Sequence, residues 1–484
     1  MSADQAKSPG AERQPQFWTL DRVADALADV AGDAPRPRGS TALARVWTDS
    51  RSVAAGDLFV ALVGEKHDGH KFLKDAVERG AAALVVSRVD ALREQAPTGL
   101  GVPVYVVPDT LVALGALARY RRRAWGRTVV GVVGTNGKTS TKELIRAALG
   151  ARLRVHATEL NYNNLVGVPL TIFGIPDDAD IAVVEMGTNQ PGEVGRLRAI
   201  TEPELGVVTS VAEEHLEGLG DLQGVLREEI SGIEGAQVAI VPASQPEVVA
   251  AARGRATRVV AAGLDAGELR AARWGVDADG TGWLEVDGVT VRPPARGVHN
   301  LRNAMLALAV ARECGLSFED AARGITGTRM PPMRVNFQQI GRATVINDAY
   351  NSNPGSARAA LELLEHAGRG RQRVAVLGSM LEMGAHSPRL HRDVAEAALN
   401  GEIEVIAGVG EFASALGNLP ADPQRVVTAG GVDELWERLA PRLRPDAVIL
   451  LKGSRGVRLE RLVEPITEWA ERAAGSALPA QPTP

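Results

Sequence analysis

Cysteine is nearly absent: Cys314 stands alone in 484 residues. A single thiol closes no internal disulfide, and such frugality fits a reducing compartment, so a cytoplasmic protein is expected. Aromatic residues are 4% of the chain, too few for the stacking platforms of a single-strand nucleic-acid binder. The net charge is −5. That is not the basic excess on which sequence-independent nucleic-acid binding depends, so no nucleic-acid partner is expected. No uncharged apolar run approaches the ~18 residues of a membrane helix, and no membrane partner is expected either. The polar start, MSADQAKSPGAERQPQF, has no apolar stretch of the signal-peptide kind. Lysine is scarce as well, seven among 54 basic residues. Codon bias toward Arg explains most of this, yet it makes a lysine inside a motif worth examining.

What is present is ordinary for a globular chain: 45% hydrophobic, 23% charged, 52 Gly and 27 Pro. At roughly 150 residues per domain the length predicts about three domains. The fold expected is α/β throughout. Residues 1–16 read as a disordered leader and 475–484 as a flexible tail. Residues 17–126 read as a small mixed α/β substrate domain with strands in ARVWTDS, GDLFVALVG, AALVVS and PVYVV, and a helix over 111–125. Residues 127–330 read as a central P-loop-type α/β domain, with strands at 128–134, 180–187, 205–211 and 236–242 and a helix over 299–314. Residues 331–474 alternate again and read as a Rossmann-like α/β domain. Its strands are 342–348, 373–378, 404–410 and 446–453, and its helices 355–367, 388–399, 433–441 and 457–473. Strand–helix alternation predicts mainly parallel sheets covered on both faces.

The strongest local signal is GVVGTNGKTSTKELIRAAL, 131–149. A β-branched strand runs into a glycine-rich turn and a helix begins at once. Gly134 and Gly137 let backbone N–H groups approach phosphate oxygens, and the helix N-terminus adds its dipole. Lys138 supplies a point charge for the β/γ-phosphates, and the Thr139 hydroxyl can reach Mg²⁺. The general pattern wants glycine five residues before Gly137, where this chain has Val132. The placement between strand and helix still predicts ATP binding. Glu185 ends a buried strand, where a carboxylate is costly without a partner, and Mg²⁺ is the natural one beside a phosphate loop. Asn353-Pro354 is a helix start, Asn as cap and Pro at the first position. Lys452, Ser454 and Arg455 follow a strand end, the usual ligand edge of an open α/β sheet.

The loop, Gly134-Thr135-Asn136-Gly137-Lys138-Thr139-Ser140-Thr141, resembles that of the Mur ligases, whose form is G-T-x-G-K-T-x-T. The resemblance runs over about residues 17 to 470. It implies that TDSR (48–51), GDLFVAL (56–62) and DGHKF (68–72) form a uridine-diphosphate pocket, with Ser50, Arg51, Asp68 and His70 holding substrate. Plain turn chemistry accounts for the same residues. NYNNLVGVPLTI (161–172) resembles a substrate loop, with Asn161 and Asn163 in it. Glu185 and His215 resemble metal ligands. In GVHNLRNAMLA, Asn300 is the implied adenine contact, supported by His299 and Asn303. Arg334 and Asp348 resemble a hinge arginine and a ribose-side aspartate. DAYNSNP (348–354) resembles the branch that accepts a neutral dipeptide amine, through Tyr350, Asn351 and Asn353. LGSMLEMG (377–384), His391 and LLKGSRGVRLE (450–460) match the last domain.

The activity implied is an ATP- and Mg²⁺-dependent ligase. It would join D-alanyl-D-alanine to UDP-MurNAc-tripeptide through an acyl phosphate, with Lys138, Glu185, His215 and Arg334 at the reacting groups, and would act as a monomer. Other readings stay open: another Mur-type or folylpolyglutamate-type ligase, a P-loop ATPase or phosphotransferase, and a non-catalytic relative that only binds the nucleotide-sugar. One departure stands out. Mur ligases commonly carry a carbamylated lysine shortly after the His215 motif, but here the segment reads GVLREEISGI and no lysine lies between Lys142 and Lys452. Arg227, near the expected place, cannot take that modification. Either Glu228 or Glu229 supplies the negative charge, or both are solvated helix residues.

Overall fold

The computed structural model describes residues 17–475 apart from 33, 65–66, 98, 278 and 331–333. The expected leader, and the expected tail beyond Gly475, lie outside the described residues. The chain forms two compact units. One holds the described residues up to Gly126 with 160–175 and 199–201. The other holds 127–159, 176–198 and the chain from Glu202 onward.

The first unit is built on a four-stranded parallel sheet in the order Val46–Trp47, Leu58–Val60, Ala83–Val86, Val104–Val106. The two inner strands are buried at every position, which explains why they read as continuous apolar runs rather than alternating ones. Helix Thr110–Trp125 starts where Asp109 accepts the N–H groups of Leu111 and Val112, and ends at Gly126 with φ +69°. Helix Gly167–Phe173 also packs here, with Phe173 edge-on to Trp18 at 6.0 Å. A stretch that lies within the central part of the sequence thus contributes to the first unit.

The second unit carries two large sheets. The first has seven parallel strands, in the order Leu269–Arg270, Arg258–Gly263, Val238–Pro242, Leu205–Val208, Thr128–Val133, Ile181–Glu185, Val155–Ala157. Helices Lys138–Gly150 and Val298–Glu313 bury their apolar faces in its core. The second sheet runs Asn336–Ile340, Ala343–Asp348, Val448–Lys452, Arg373–Leu377, Val405–Val409, Val426–Ala429, parallel except for its first strand. That strand, NFQQI, is half polar because it is an edge. The helix expected over 457–473 begins only at Val463. Two 3₁₀ turns precede it, separated by Arg458 at φ +62°, a conformation no α-helix admits. A three-stranded antiparallel sheet, Arg273–Val276, Gly282–Val286 and Val289–Val291, has no counterpart among the expected elements. Among the described residues no helix is long and apolar enough to cross a membrane.

Candidate active site

The phosphate loop leaves the carboxyl end of strand Thr128–Val133, which pairs with Leu205–Val208 on one side and Ile181–Glu185 on the other. Its glycines are required twice over. Gly134 has φ +125°, and a Cβ there would meet Thr209 Oγ1 at 2.2 Å. Gly137 has φ +84°, and a Cβ there would meet Asn303 Oδ1 at 2.7 Å. The neighbouring strand's continuation buttresses the loop. Thr135 N–H donates to Ser210 O at 2.8 Å, Asn136 N–H to Ser210 Oγ at 3.0 Å, and Thr209 Oγ1 to Asn136 O at 2.7 Å. Lys138 is half-buried and donates to the carbonyls of Gly134 and Thr135, so its ammonium lies over the loop. Ser140 is buried in the first helical turn.

Thr139 and Glu185 come together. The Thr139 hydroxyl donates to Glu185 Oε1 at 3.2 Å, and Glu185 is 2% exposed. Thr158 sets the strand end: its Oγ1 accepts Glu185 N–H at 3.0 Å, and its carbonyl accepts from the buried Lys142 at 2.5 Å. A hydroxyl and a carboxylate, both oxygen donors facing each other beside a phosphate loop, fit a hard divalent cation such as Mg²⁺. Among the described residues no group of three His, Cys, Asp or Glu has the spacing of a metal site. The protein thus supplies a partial donor set. His215 is placed differently, with Nδ1 on Glu382 Oε2 and Nε2 3.9 Å from Glu214 Oε1. Both His215 (φ +51°) and Glu382 (φ +64°) are non-glycine residues in the left-handed region, the kind of backbone strain that clusters at functional sites.

On helix Val298–Glu313, Asn300 and Asn303 are buried and linked, Asn303 Nδ2 donating to Asn300 Oδ1 at 3.1 Å. Asn303 packs on Gly137 and so ties this helix to the phosphate loop. Burial pushes the His299 imidazole down to about 4, so it is neutral at pH 7.

The second sheet brings its own groups to this edge. Asp348 and Lys452 end neighbouring parallel strands and pair at 2.8 Å. Lys452, 3% exposed, also donates to Asn351 O at 2.8 Å. Arg334 lies over the Tyr350 ring at 4.4 Å, and Arg455 lies 5.6 Å from its centroid. Asn351 Nδ2 donates to Glu214 Oε1 at 2.8 Å. Asn353 caps helix Pro354–Ala367 through a capping box with Ser356, as its sequence predicts, and also reaches Asn136. Ser454 Oγ accepts Leu381 N–H at 3.0 Å, and buried His391 accepts Met380 N–H at 2.8 Å, so the two fix the turn that presents Glu382. A cavity of about 240 Å³ opens here, lined by Glu214, His215, Tyr350, Asn351, Glu382 and Arg455 among others.

Neither carboxylate of the REE segment is solvated, contrary to one of the two expectations for them. Glu228 is buried and accepts the N–H groups of Gly192 and Val194 at 2.7 and 2.8 Å, which anchors the start of helix Glu193–Thr201. Glu229 accepts Gly134 N–H at 2.7 Å. Burial raises its carboxyl to about 7, opposed by Lys138 and the Gly134 N–H and assisted by Glu214 and Glu228.

In the first unit the motif residues hold one another. Arg51 is exposed and forks onto Asp49 at 2.9 and 2.8 Å, which holds the Asp49 carboxyl down at about 2; Ser50 is half-buried between them. His70 is fully buried: Nδ1 meets Asp68 Oδ1 at 2.8 Å and Nε2 accepts Ser87 N–H at 2.9 Å. Asp68 also pairs with Arg88 at 2.6 Å. Asn161 is exposed, and Asn163 half-buried, in the turn before helix Gly167–Phe173.

Thr209, Ser210 and Glu382 are the participants that sequence reasoning missed. Thr209 and Ser210 carried a signal, since they lie at the end of the predicted strand 205–211, just past the observed strand end at Val208. Glu382 carried none, because its contact with His215 crosses between elements.

The matches to known proteins follow the same order along the chain. Residues 43–122 match the family model "Mur ligase family, catalytic domain", 132–311 the "Mur ligase middle domain", and 333–455 the "Mur ligase, glutamate ligase domain". The UDP-N-acetylmuramoyl-tripeptide–D-alanyl-D-alanine ligase of Bacillus subtilis is 32% identical over 88% of this chain and 94% of its own length. The crystal structure of MurF from Acinetobacter baumannii superposes with a TM-score of 0.84 at 29% identity, over 94% of this chain and all of that one. MurF of Thermotoga maritima in complex with ADP superposes at 0.77 and 25% identity, over 90% of this chain and 98% of that one. The chain belongs to the Mur ligase family, among the relatives of its UDP-N-acetylmuramoyl-tripeptide–D-alanyl-D-alanine ligases.

Proposed function

We propose that the chain joins D-alanyl-D-alanine to UDP-MurNAc-tripeptide with ATP, through an acyl phosphate, as a step of peptidoglycan precursor synthesis. The observation that carries this reading is the cavity lined by Glu214 and His215 from one sheet domain and by Tyr350, Asn351, Glu382 and Arg455 from the other, beside the phosphate loop. At about 240 Å³ it lies below the usual size range for drug-sized ligands and suits a dipeptide.

In the first step a carboxylate oxygen of the tripeptide attacks the γ-phosphorus of ATP and ADP departs. The dipeptide nitrogen then adds to the acyl carbonyl. The tetrahedral centre expels phosphate, and the nitrogen loses its proton as the amide forms. Both steps place negative charge on oxygens. Lys138, Arg334 and the N–H groups at the start of helix Lys138–Gly150 stabilise it. Thr139 and Glu185 would hold Mg²⁺, whose chemistry is to neutralise charge on the phosphate oxygens. Asn300, His299 and Asp348 serve the nucleoside side. Ser50, Arg51, Asp68, Asn161 and Asn163 serve the UDP-sugar, with His70 as the buried support of that turn. Closed around its substrates, the site excludes water that would hydrolyse the acyl phosphate.

The test is phosphate release with ATP, Mg²⁺ and UDP-MurNAc-tripeptide, with and without D-Ala-D-Ala, the product being weighed by mass spectrometry. Release that depends on the dipeptide and yields the pentapeptide is expected. Release indifferent to both substrates would make the chain an ATPase.

A further inference from the structure

The phosphate loop and the segment carrying Tyr350 and Asn351 meet through one polar contact made twice. Asn136 Nδ2 donates to Asn353 Oδ1 at 3.2 Å, and Asn353 Nδ2 donates to Asn136 Oδ1 at 2.8 Å. Asn353 is 1% exposed. Both partners are anchored. Asn353 Oδ1 also accepts Ser356 N–H at 2.9 Å as the helix cap, while its backbone N–H donates to Ser356 Oγ at 3.1 Å. Asn136 has its N–H on Ser210 Oγ and its carbonyl on Thr209 Oγ1. The Asn136 side chain is therefore committed away from its own loop. A reciprocal amide pair of this kind tolerates no truncation without stranding a donor or an acceptor.

We infer that the Asn136–Asn353 pair is a clasp through which the nucleotide loop positions the dipeptide-accepting segment, with Asn353 a positioning residue for ligation. The inference rests on the function proposed above. Two residues before Asn353, the Asn351 side chain reaches Glu214 and its carbonyl is held by Lys452; one further back, Tyr350 is stacked by Arg334. A shift of the cap moves all three. By linkage, a nucleotide that orders Asn136 strengthens dipeptide binding, and the dipeptide strengthens nucleotide binding by the same factor.

Three variants test it. Asn136→Ala removes the clasp and leaves the Asn353 cap in place. Asn353→Asp keeps the cap acceptor and removes the donor. The third combines them. Each single change is expected to lower kcat about 10-fold with the KM for UDP-MurNAc-tripeptide unchanged, and the double variant to fall within about twofold of the worse single one. Losses that multiply toward about 100-fold overturn the clasp.

Hydrogen exchange at residues 350–356 provides a readout independent of ligation. A non-hydrolysable ATP analogue slows exchange there in the wild type and has no such effect in Asn136→Ala. Equal protection in the two proteins overturns the inference, whether or not the wild type makes pentapeptide. Protection lost in Asn136→Ala alongside a wild type that makes no pentapeptide would uphold the clasp and refute only the proposed reaction.

Discussion

The phosphate loop and the two polar turns of the first unit look alike as sequence: short, glycine- or aspartate-rich, each after a strand. They differ in which atoms do the work. In the loop, backbone geometry carries the chemistry, through left-handed Gly134 and Gly137 between a strand and a helix. In the turns, side chains carry it, and they are largely consumed at home: Arg51 on Asp49, His70 on Asp68 and Ser87, Asp68 on Arg88. Short polar side chains bond to nearby backbone whenever the turn permits. A motif written in backbone conformation is therefore fixed by its glycines, and one written in side chains by the partners it meets nearby.

The largest expected effect breaks the loop's side of this contrast. Lys138→Ala should reduce substrate-dependent phosphate release by on the order of 10³-fold, while the melting temperature stays within a few degrees, since the side chain is half-buried and donates only to loop carbonyls. A stability loss of similar weight would mean that the lysine holds the loop rather than the phosphate.

In the first unit two substitutions should separate. His70→Ala empties a fully buried site and strands the half-buried Ser87 N–H, and should cost about 1–3 kcal/mol of stability in denaturant unfolding, with little change in the KM for UDP-MurNAc-tripeptide. Arg51→Ala should raise that KM about 10-fold and leave stability alone, because an exposed ion pair contributes little. The reverse pattern would make His70 the ligand and Arg51 the strut.

A smaller effect concerns pH. The Glu229 carboxyl titrates near 7 when folded and lower when unfolded, so the native state binds the extra proton between its ordinary value of 4.5 and about 7. Stability contributed by this group is present at low pH and is lost as pH rises through 7. Glu229→Gln should therefore flatten the fall in melting temperature between pH 5 and 8, by about 5 °C at the upper end. A parallel pair of curves would show that the carboxylate ionises freely. The smallest effect is none: with no lysine between Lys142 and Lys452, activity in degassed buffer should equal activity with added bicarbonate. A gain on adding bicarbonate would point to a carbamate elsewhere.

Most strands were legible because parallel strands buried on both faces read as unbroken apolar runs, as in Ile181–Glu185 and Val405–Val409. The polar edge strand Asn336–Ile340 and the small antiparallel sheet lack that signature and were not, and the parallel strands Val155–Ala157, Arg258–Gly263 and Val426–Ala429, toward the edges of the two large sheets, were missed as well. Within the site, Thr139 was singled out by the phosphate-loop pattern and Glu185 by a costly carboxylate at a strand end, and the structure brings the two side chains together. The partner of His215 was not, and neither was the burial of Glu228 and Glu229. A helix position says which residues share a face, but not what another element brings against that face.

Local chemistry alone decided the strand–turn–helix of the phosphate loop, the Asn353 cap and the alternation that makes parallel sheets. Each follows from steric limits on a few consecutive residues. Only the tertiary structure decided that Asn136 grips Asn353, 217 residues away, that Glu382 reaches His215, and that residues 160–175 pack with the first unit. Those outcomes depend on strand order and on how one sheet domain sits against the other. Hydrogen-bond partners at that range are selected by burial and direction, which no window of sequence contains.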